Sequence, residues 1–504
     1  MTLRLVSQNK QALYTKYVSL AFYISVRVLV IVRFLLSIFH SISTTMFKAA
    51  LLETIDAERQ DLINLLQSLT RADSSNPPGD TIAAACVVST FLASRDVPAT
   101  LIAPKSDAPN VTSTFPAVSQ SPAHSRSSSL HQLDGYSPSR VDSPFADSGI
   151  STPNPGPRLI MNGHIDAFPI SEAERSEWTH DPWSADIENN RLYGRGVVDM
   201  KAGTAATIAA YTYIFAHRHL LNGTAVLEAV SDEETGGRWG SKYLLNDDDR
   251  KETWTGDVNL NAEPTGLQSI RFGEKGTLRM TFTVKAKGAH GAYTHLSEGA
   301  IRIATRLVAE LVKLEDFVDF EVDPEVRRYL DRQEVRDTID EVMGPGAADN
   351  ILKPTVNVGT ISGGTKVNTI PGDCKFEVDI RLPIGLVAKT ILGKIDATLK
   401  DFPGASYEVQ EAASNPPNSC PFDHAVTRAI ANNAERILGR KPIAIPSLGA
   451  TDAKHWRYKG IPAYSFGLSP EGMAGIDESV DLDEYINLVK ILTLTAWDFL
   501  TGPE

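Results

Sequence analysis

At 504 residues the chain is longer than one hydrophobic core usually covers, and its 42% hydrophobic and 22% charged composition is that of a globular protein with a sizeable core. A formal net charge of −13, without a basic patch in the body of the chain, argues against a nucleic-acid surface. Three cysteines, Cys86, Cys374 and Cys420, lie far apart with no CxxC pair, which excludes a disulfide scaffold and points to a reducing, cytoplasmic setting.

Residues 1–45 are a hydrophobic N-terminal segment. The run at 17–42 is long enough to span a bilayer, yet Arg27 and Arg33 sit inside it, each costing about 2.5–3.5 kcal/mol near the centre of an inserted helix. Three readings stand: a signal-anchor giving membrane association, an amphipathic targeting segment, or a leader upstream of a start at Met46. The globular pattern begins just after Met46 with apolar residues at helical spacing over 51–69, and the turn residues 74–80 end that helix. A second helix at 81–94 and a strand at 97–103 follow. Residues 105–157, rich in Ser, Pro, Thr and Asp, read as a disordered insertion, either a plain solvated loop or one phosphorylated at Ser-Pro pairs such as Ser137-Pro138 and Ser143-Pro144.

Order returns with a strand ending at His164. An aromatic, acidic loop at 178–183, the Asp199 turn, a helix over 203–217, a strand at 223–231 and a helix at 237–245 come next. Strands alternating with helices predict an α/β domain whose mostly parallel sheet is sandwiched by helices, with ligands beyond the carboxyl ends of the strands. Past Glu263 the order becomes strand 277–286, helix 297–314, strands 355–361 and 374–381, helix 386–400 and strand 406–411. That β-α-β-β-α-β succession is a ferredoxin-like α+β unit. The first pattern resumes at 422–438. The expected organisation is therefore a catalytic domain over 46–276 and 413–504, with 277–412 inserted as a dimerisation or lid domain. An acidic helical hairpin at 315–350 has no assignment in this scheme.

The chemistry gathers in four short motifs. Gly163-His164-Ile165-Asp166 puts a His and an Asp at i and i+2 on one strand face, so that one imidazole can meet a metal and be braced. Asp199 lies in Gly194-Arg195-Gly196-Val197-Val198-Asp199, Glu233-Glu234 in Ser231-Asp232-Glu233-Glu234-Thr235-Gly236-Gly237, and Glu263 in Asn261-Ala262-Glu263-Pro264. An acidic pair is ordinarily solvated surface and a His-x-Asp ordinarily a turn. Here the pair follows a buried apolar strand and precedes a Gly-Gly that lets backbone approach a site.

In this order the motifs resemble those of the dinuclear zinc hydrolases that include acetylornithine deacetylase, succinyl-diaminopimelate desuccinylase, aminoacylase and glutamate carboxypeptidase. The resemblance covers residues from about 50 to 502 and implies a Zn²⁺ pair, with Co²⁺ as a substitute. His164 and Glu263 would hold one ion, Glu234 the other, and Asp199 would bridge them, its shared charge offsetting the repulsion of two close cations. Asp166 would fix the tautomer of His164, and Glu233 would be the general base. His290, in Lys287-Gly288-Ala289-His290-Gly291, resembles a residue that crosses a homodimer to polarise the scissile carbonyl. Asn368 and Arg381 match positions that hold the substrate's carboxylate.

The departure lies at Gly472-Met473-Ala474-Gly475-Ile476-Asp477-Glu478, where relatives carry a last His ligand and this chain has Ala474. A methyl group cannot coordinate zinc, so one site is expected to be incomplete unless Asp452, His455, a water or a substrate atom substitutes. Three functions follow: a metal-dependent hydrolase acting on a small N-acyl amino acid or short peptide, a catalytically impaired relative that only binds, or a membrane-tethered adaptor. Retention of Glu233, which matters only for turnover, favours the first.

Overall fold

The structure, a computed structural model, describes residues 44–115 and 156–502. Two compact units divide the chain after Gln60. In the first, residues 44–57 are helical. The hydrophobic run at 17–42 lies outside the described residues; among those described, no helix is long and apolar enough to cross a membrane.

The second unit contains two main sheets. Its principal strands, in chain order, are β1 (Thr100–Ile102), β2 (Asn110–Thr114), β3 (Arg158–His164), β4 (Thr224–Val230), β5 (Val258–Asn261), β6 (Ser269–Glu274), β7 (Gly276–Lys285), β8 (Thr355–Gly363), β9 (Asp373–Leu382), β10 (Ala405–Val409), β11 (Ile443–Ser447) and β12 (Ala463–Ser465). The large sheet runs β1-β2-β4-β3-β5-β12-β6, with Asn418–Ser419 beyond β6 and β11 also paired to β6. Its centre is parallel, β4 to β3, β3 to β5 and β5 to β12; β1, β2 and Asn418–Ser419 pair antiparallel, and β11 pairs with β6 in parallel. Every residue of β4 is buried, as expected of a parallel strand covered on both faces. One face meets α1 (Ala202–Ala216) and α2 (Leu482–Thr501), which also pack on each other. On the other, Ile160, Val226 and Val230 join Leu244, Leu245, Trp254 and Trp456 from three short helices. Gly203 is obligatory in α1, because a Cβ there would stand 2.1 Å from the Ala262 carbonyl.

The second sheet runs β8-β9-β7-β10 and is antiparallel throughout. With helices Ala300–Val312 and Ala388–Leu399 it makes the expected ferredoxin-like arrangement. Residues Leu278, Met280, Phe282 and Val284 alternate inward from β7, and the rings of Phe282 and Phe376 stack at 4.9 Å.

Two local expectations change. Residues 105–115 are ordered: Asn110–Ser113 are buried, and β2 pairs with β4 through backbone bonds that need no apolar side chain. Asn110 Nδ2 donates to the Ile102 and Trp239 carbonyls, and Phe115 packs against Tyr211 and Phe215. The rest of the expected insertion, 116–155, lies outside the described residues. The unassigned hairpin is three helices, Pro324–Leu330, Gln333–Met343 and Ala347–Asn350, which lean on the large sheet. Tyr329 donates to the Ala444 carbonyl and stacks on Phe422 at 4.0 Å.

Candidate metal centre

Three neighbouring parallel strands, β4, β3 and β5, end at one edge of the sheet, and each delivers an acid or His there. His164 closes β3 and is 1% exposed. Its Nε2 lies 3.1 Å from Asp199 Oδ1 and 3.7 Å from Glu263 Oε1. Its Nδ1 faces Asp166, 3.1 Å from the carbonyl and 3.4 Å from Oδ1. The fully buried Asp166 carboxylate also accepts from Asn76 Nδ2 at 2.9 Å and from the backbone amides of Glu233 and Glu234 at 3.2 Å each. One carboxylate thus fixes the imidazole and the turn carrying the acidic pair.

That turn, Glu233–Thr235, follows β4 after Asp232, whose φ is 71°. Gly237 has φ 69°, and a Cβ on it would meet Asp452 Oδ1 at 2.9 Å. Asp199 sits in the turn Val197–Lys201, cradled by Glu478, which accepts from the amides of Gly196 at 3.0 Å, Val198 at 2.8 Å and Asp199 at 3.3 Å. Arg195 pairs with the same carboxylate at 2.8 Å. Glu263 follows β5; its amide donates to Asn261 Oδ1, and Asn261 Nδ2 donates to Asn162 Oδ1.

Donor atoms of His164, Asp199 and Glu234 lie within 4.8 Å of one another, and so do those of His164, Glu233 and Glu263. Burial pushes the Glu233 carboxyl up to about 7 against the pull of Lys454 Nζ, 3.5 Å from its Oε1. Burial likewise pushes Glu234 up to about 9, opposed by His164 and reinforced by Asp199 and Glu233. Glu263 is raised well above its ordinary value, by burial first and Asp199 second. The imidazole is lowered by burial but raised more by Asp166, Asp199 and Glu263. Glu234 Oε1 is buried without a hydrogen-bond partner among the described residues. A set of hard donors that repel one another and leave an orphaned oxygen fits divalent cations.

The other expected residues are not among these donors. His290 is exposed on a separate two-stranded pairing of Ala289–His290 with Thr369–Ile370, with Nδ1 accepting from the Ala292 amide. Asn368 is exposed beside it, its carbonyl accepting from the Gly291 amide. Arg381 forks onto Asp379, with Nε 2.9 Å from Oδ1 and Nη2 3.1 Å from Oδ2. Ala474 is half-buried with φ 57°, and its neighbour Met473 lines a cavity with Asp199 and Glu263. Asp452 accepts from Ser241 Oγ at 2.7 Å and lies 3.6 Å from His455 Nε2. Neither Asp452 nor His455 belongs to either donor set among the described residues.

Sequence reasoning missed Asn76, Lys454 and the Arg195–Glu478 pair. Lys454 is 4% exposed on the short helix Ala453–Arg457, whose two ends are tied to Glu274 by Thr451 Oγ1 at 2.6 Å and Arg457 Nη1 at 2.9 Å. Only the adjacency of Asp477-Glu478 and of Asp452 to the motifs hinted at these partners.

Comparison with known proteins shows the family and the fold. The succinyl-diaminopimelate desuccinylase of Methylorubrum extorquens is 29% identical over 344 residues, 67% of this chain and 81% of the relative. An M20 family metallo-carboxypeptidase, Sso-CP2 from Sulfolobus solfataricus, superposes with TM-score 0.64 at 20% identity, covering 88% of this chain and 99% of that one. Human carnosine dipeptidase 1 gives 0.62 at 17%, covering 90% and 99%. The Bacillus subtilis YXEP protein, a dinuclear metal binding peptidase from the M20 family, gives 0.56 at 14%, covering 88% and 98%. The family model described as peptidase family M20/M25/M40 matches residues 160–498, from the strand that carries His164 to the last helix, and the chain belongs to that family of hydrolases.

Proposed function

We propose that the protein is a metal-dependent hydrolase that cleaves the amide or peptide bond of a small N-acyl amino acid or short peptide. The observation that carries this reading is the convergence of His164, Asp199, Glu233, Glu234 and Glu263 at the carboxyl edge of the parallel strands. His164, Asp199, Glu234 and Glu263 would hold two divalent ions, zinc or cobalt, with Asp199 shared. When bound, the ions supply Lewis acidity to the carbonyl and lower the pKa of water. Glu233 takes a proton from the attacking water as its oxygen bonds to the carbonyl carbon, and gives it to the nitrogen as the C–N bond breaks. Lys454, 3.5 Å away, holds that carboxylate in place. Asp166 keeps the imidazole in one tautomer. His290 would reach the site of a partner across a two-fold dimer and donate to the developing oxyanion.

Names of the relatives support the substrate class, since the desuccinylase, metallo-carboxypeptidase and dipeptidase are all named for cleaving bonds to amino acids or peptides. Ala474 favours a second reading, a binding protein that has lost turnover. The separating experiment assays purified protein on N-acyl amino acids and dipeptides before and after chelation. Hydrolysis lost on chelation and restored by zinc or cobalt is expected. A protein that binds both ions and cleaves none of these substrates is the binding relative instead.

A further inference from the structure

Residues 74–81 form a strap that bonds to the chain just past β3 and just past β4, the two strands that lead into His164 and into the acidic turn. On the β3 side Ser74 Oγ donates to the Ile165 carbonyl at 2.7 Å, the Asn76 amide donates to the Ala167 carbonyl at 2.8 Å, and the Ala167 amide donates to the Ser74 carbonyl at 3.1 Å. On the β4 side Thr81 Oγ1 lies 2.7 Å from Ser231 Oγ. The strap is upstream of residues 160–498, the stretch that the family model matches.

Asn76, 6% exposed, points its side chain between these two attachments. Its Nδ2 lies 2.9 Å from Asp166 Oδ2, 3.3 Å from Asp232 Oδ1 and 3.4 Å from Thr235 Oγ1. An amide nitrogen has two hydrogens, and the two shorter distances give both to carboxylates. Asp166 is the group that faces His164, and Asp232, with φ 71°, opens the turn of Glu233 and Glu234. Both carboxylates are buried, at 0% and 8% exposure, and two such anions repel unless donors stand between them. A neutral amide donates to both without adding a charge beside the metal donors, and hydrogen bonds to charged acceptors are the stronger kind. Gly79 fixes the side chain from behind: its φ is 81°, and a Cβ there would stand 2.8 Å from Asn76 Oδ1.

We propose that Asn76 is a positioning residue for the metal centre: its side-chain amide cross-ties Asp166 to Asp232 and so sets the distance between the His164 imidazole and the Glu233–Glu234 pair. This rests on the reading above that these groups hold divalent ions with Glu233 as base. Asn76 itself acts only through the two carboxylates.

The test measures zinc and cobalt affinity of chelated protein by competition with a chromophoric chelator. Asn76→Ala should lose about 10- to 100-fold, the usual effect of removing a group that orients metal ligands. Asn76→Asp, of nearly the same shape, should lose more, because it sets a third carboxylate against the other two. Ser75→Ala, on the same strap, removes a hydroxyl bonded to Asp73 and should leave affinity unchanged. Asn76→Asp/Asp232→Asn reverses donor and acceptor across the same gap, and should bind more tightly than Asn76→Asp, whereas a role in packing alone makes the losses add. In metal-saturated Asn76→Ala, kcat should fall with KM held, since the turn that carries Glu233 has moved. Equal losses in Asn76→Ala and Ser75→Ala, parent affinity in Asn76→Asp, additive losses in the double variant, or a loss confined to KM each overturn the proposal. Should Asn76→Ala fail to fold by circular dichroism, the comparison of Asn76→Asp with the double variant decides. If the affinities shift as stated while the parent cleaves no N-acyl amino acid or dipeptide, the hydrolase reading fails and this one stands.

Discussion

Replacing Glu478 by Gln measures what a buried charge contributes to the turn that presents Asp199. Two Arg–Glu pairs in this protein have nearly equal lengths, 2.8 Å for Arg195–Glu478 and 2.6 Å for Arg440–Glu341. Their burial differs: 2% and 1% side-chain exposure in the first, 53% and 45% in the second. Removing one partner of a buried pair costs about 3–5 kcal/mol, because the other charge stays dehydrated. An exposed pair contributes about 0–1 kcal/mol. Glu478 additionally accepts from three backbone amides, and Arg195 Nε already lacks a partner among the described residues. Gln keeps one acceptor oxygen, so Glu478→Gln should lose about 3 kcal/mol, at the lower end of the buried range, while Glu341→Gln should lose less than about 1 kcal/mol. Urea unfolding of chelated protein, followed by tryptophan fluorescence, separates this from metal binding. Trp178, whose ring lies 5.3 Å from the Arg195 guanidinium carbon, is a local reporter. Equal losses in the two variants, or a larger loss in Glu341→Gln, would refute the reasoning from burial.

Glu233→Gln should retain its metal and lose about 10²–10⁴-fold in turnover, read as kcat beside metal content; parent-rate hydrolysis removes Glu233 as the base. Ala474→His should raise the affinity for a second zinc ion, measured by competition with a chromophoric chelator. The backbone already sits at φ 57° with a Cβ, so the new side chain adds little strain, and unchanged affinity would mean that this position does not face the ions. Burial, with Lys454 and Lys242, pushes His455 down to about 3, so the unfolded chain takes up its proton first as pH falls. Stability tied to this group is complete above about pH 6.5 and is lost towards pH 3 at about 1.4 kcal/mol per unit. His455→Gln should show a shallower acid slope in urea midpoints; identical slopes contradict the burial argument.

The parallel sheet, the inserted ferredoxin-like unit and the clustered acids were legible because their signals are local. Each of His164, Glu233 and Glu263 stands at or just past the end of a strand, and in a parallel sheet those ends share an edge. β2 escaped because Asn110–Thr114 carries little apolar content and joins the sheet by backbone bonds in a stretch of Ser and Thr. Lys454 was invisible for another reason. Its partner Glu233 lies more than two hundred positions away, and the short helix that aims it is held by Glu274, from a third strand.

The attachment of the Ser/Pro-rich stretch has a consequence for how this chain can be rebuilt. β2 and β3 flank the same strand, Thr114 opposite Val226 and Arg158 opposite Thr224, so the described ends of that stretch are about 10 Å apart, two strand spacings. They lie at the amino end of β3, about 20 Å along the strand from His164. Loop closure costs only about 0.6 kcal/mol per doubling of length. The position is therefore a port for gene fusion: a fluorescent reporter or an affinity module could replace residues 116–155 with the candidate metal centre left at the opposite rim. Variation in the length of this stretch among related chains would be nearly neutral for the same reason, leaving it free to diverge while the strands on either side stay fixed.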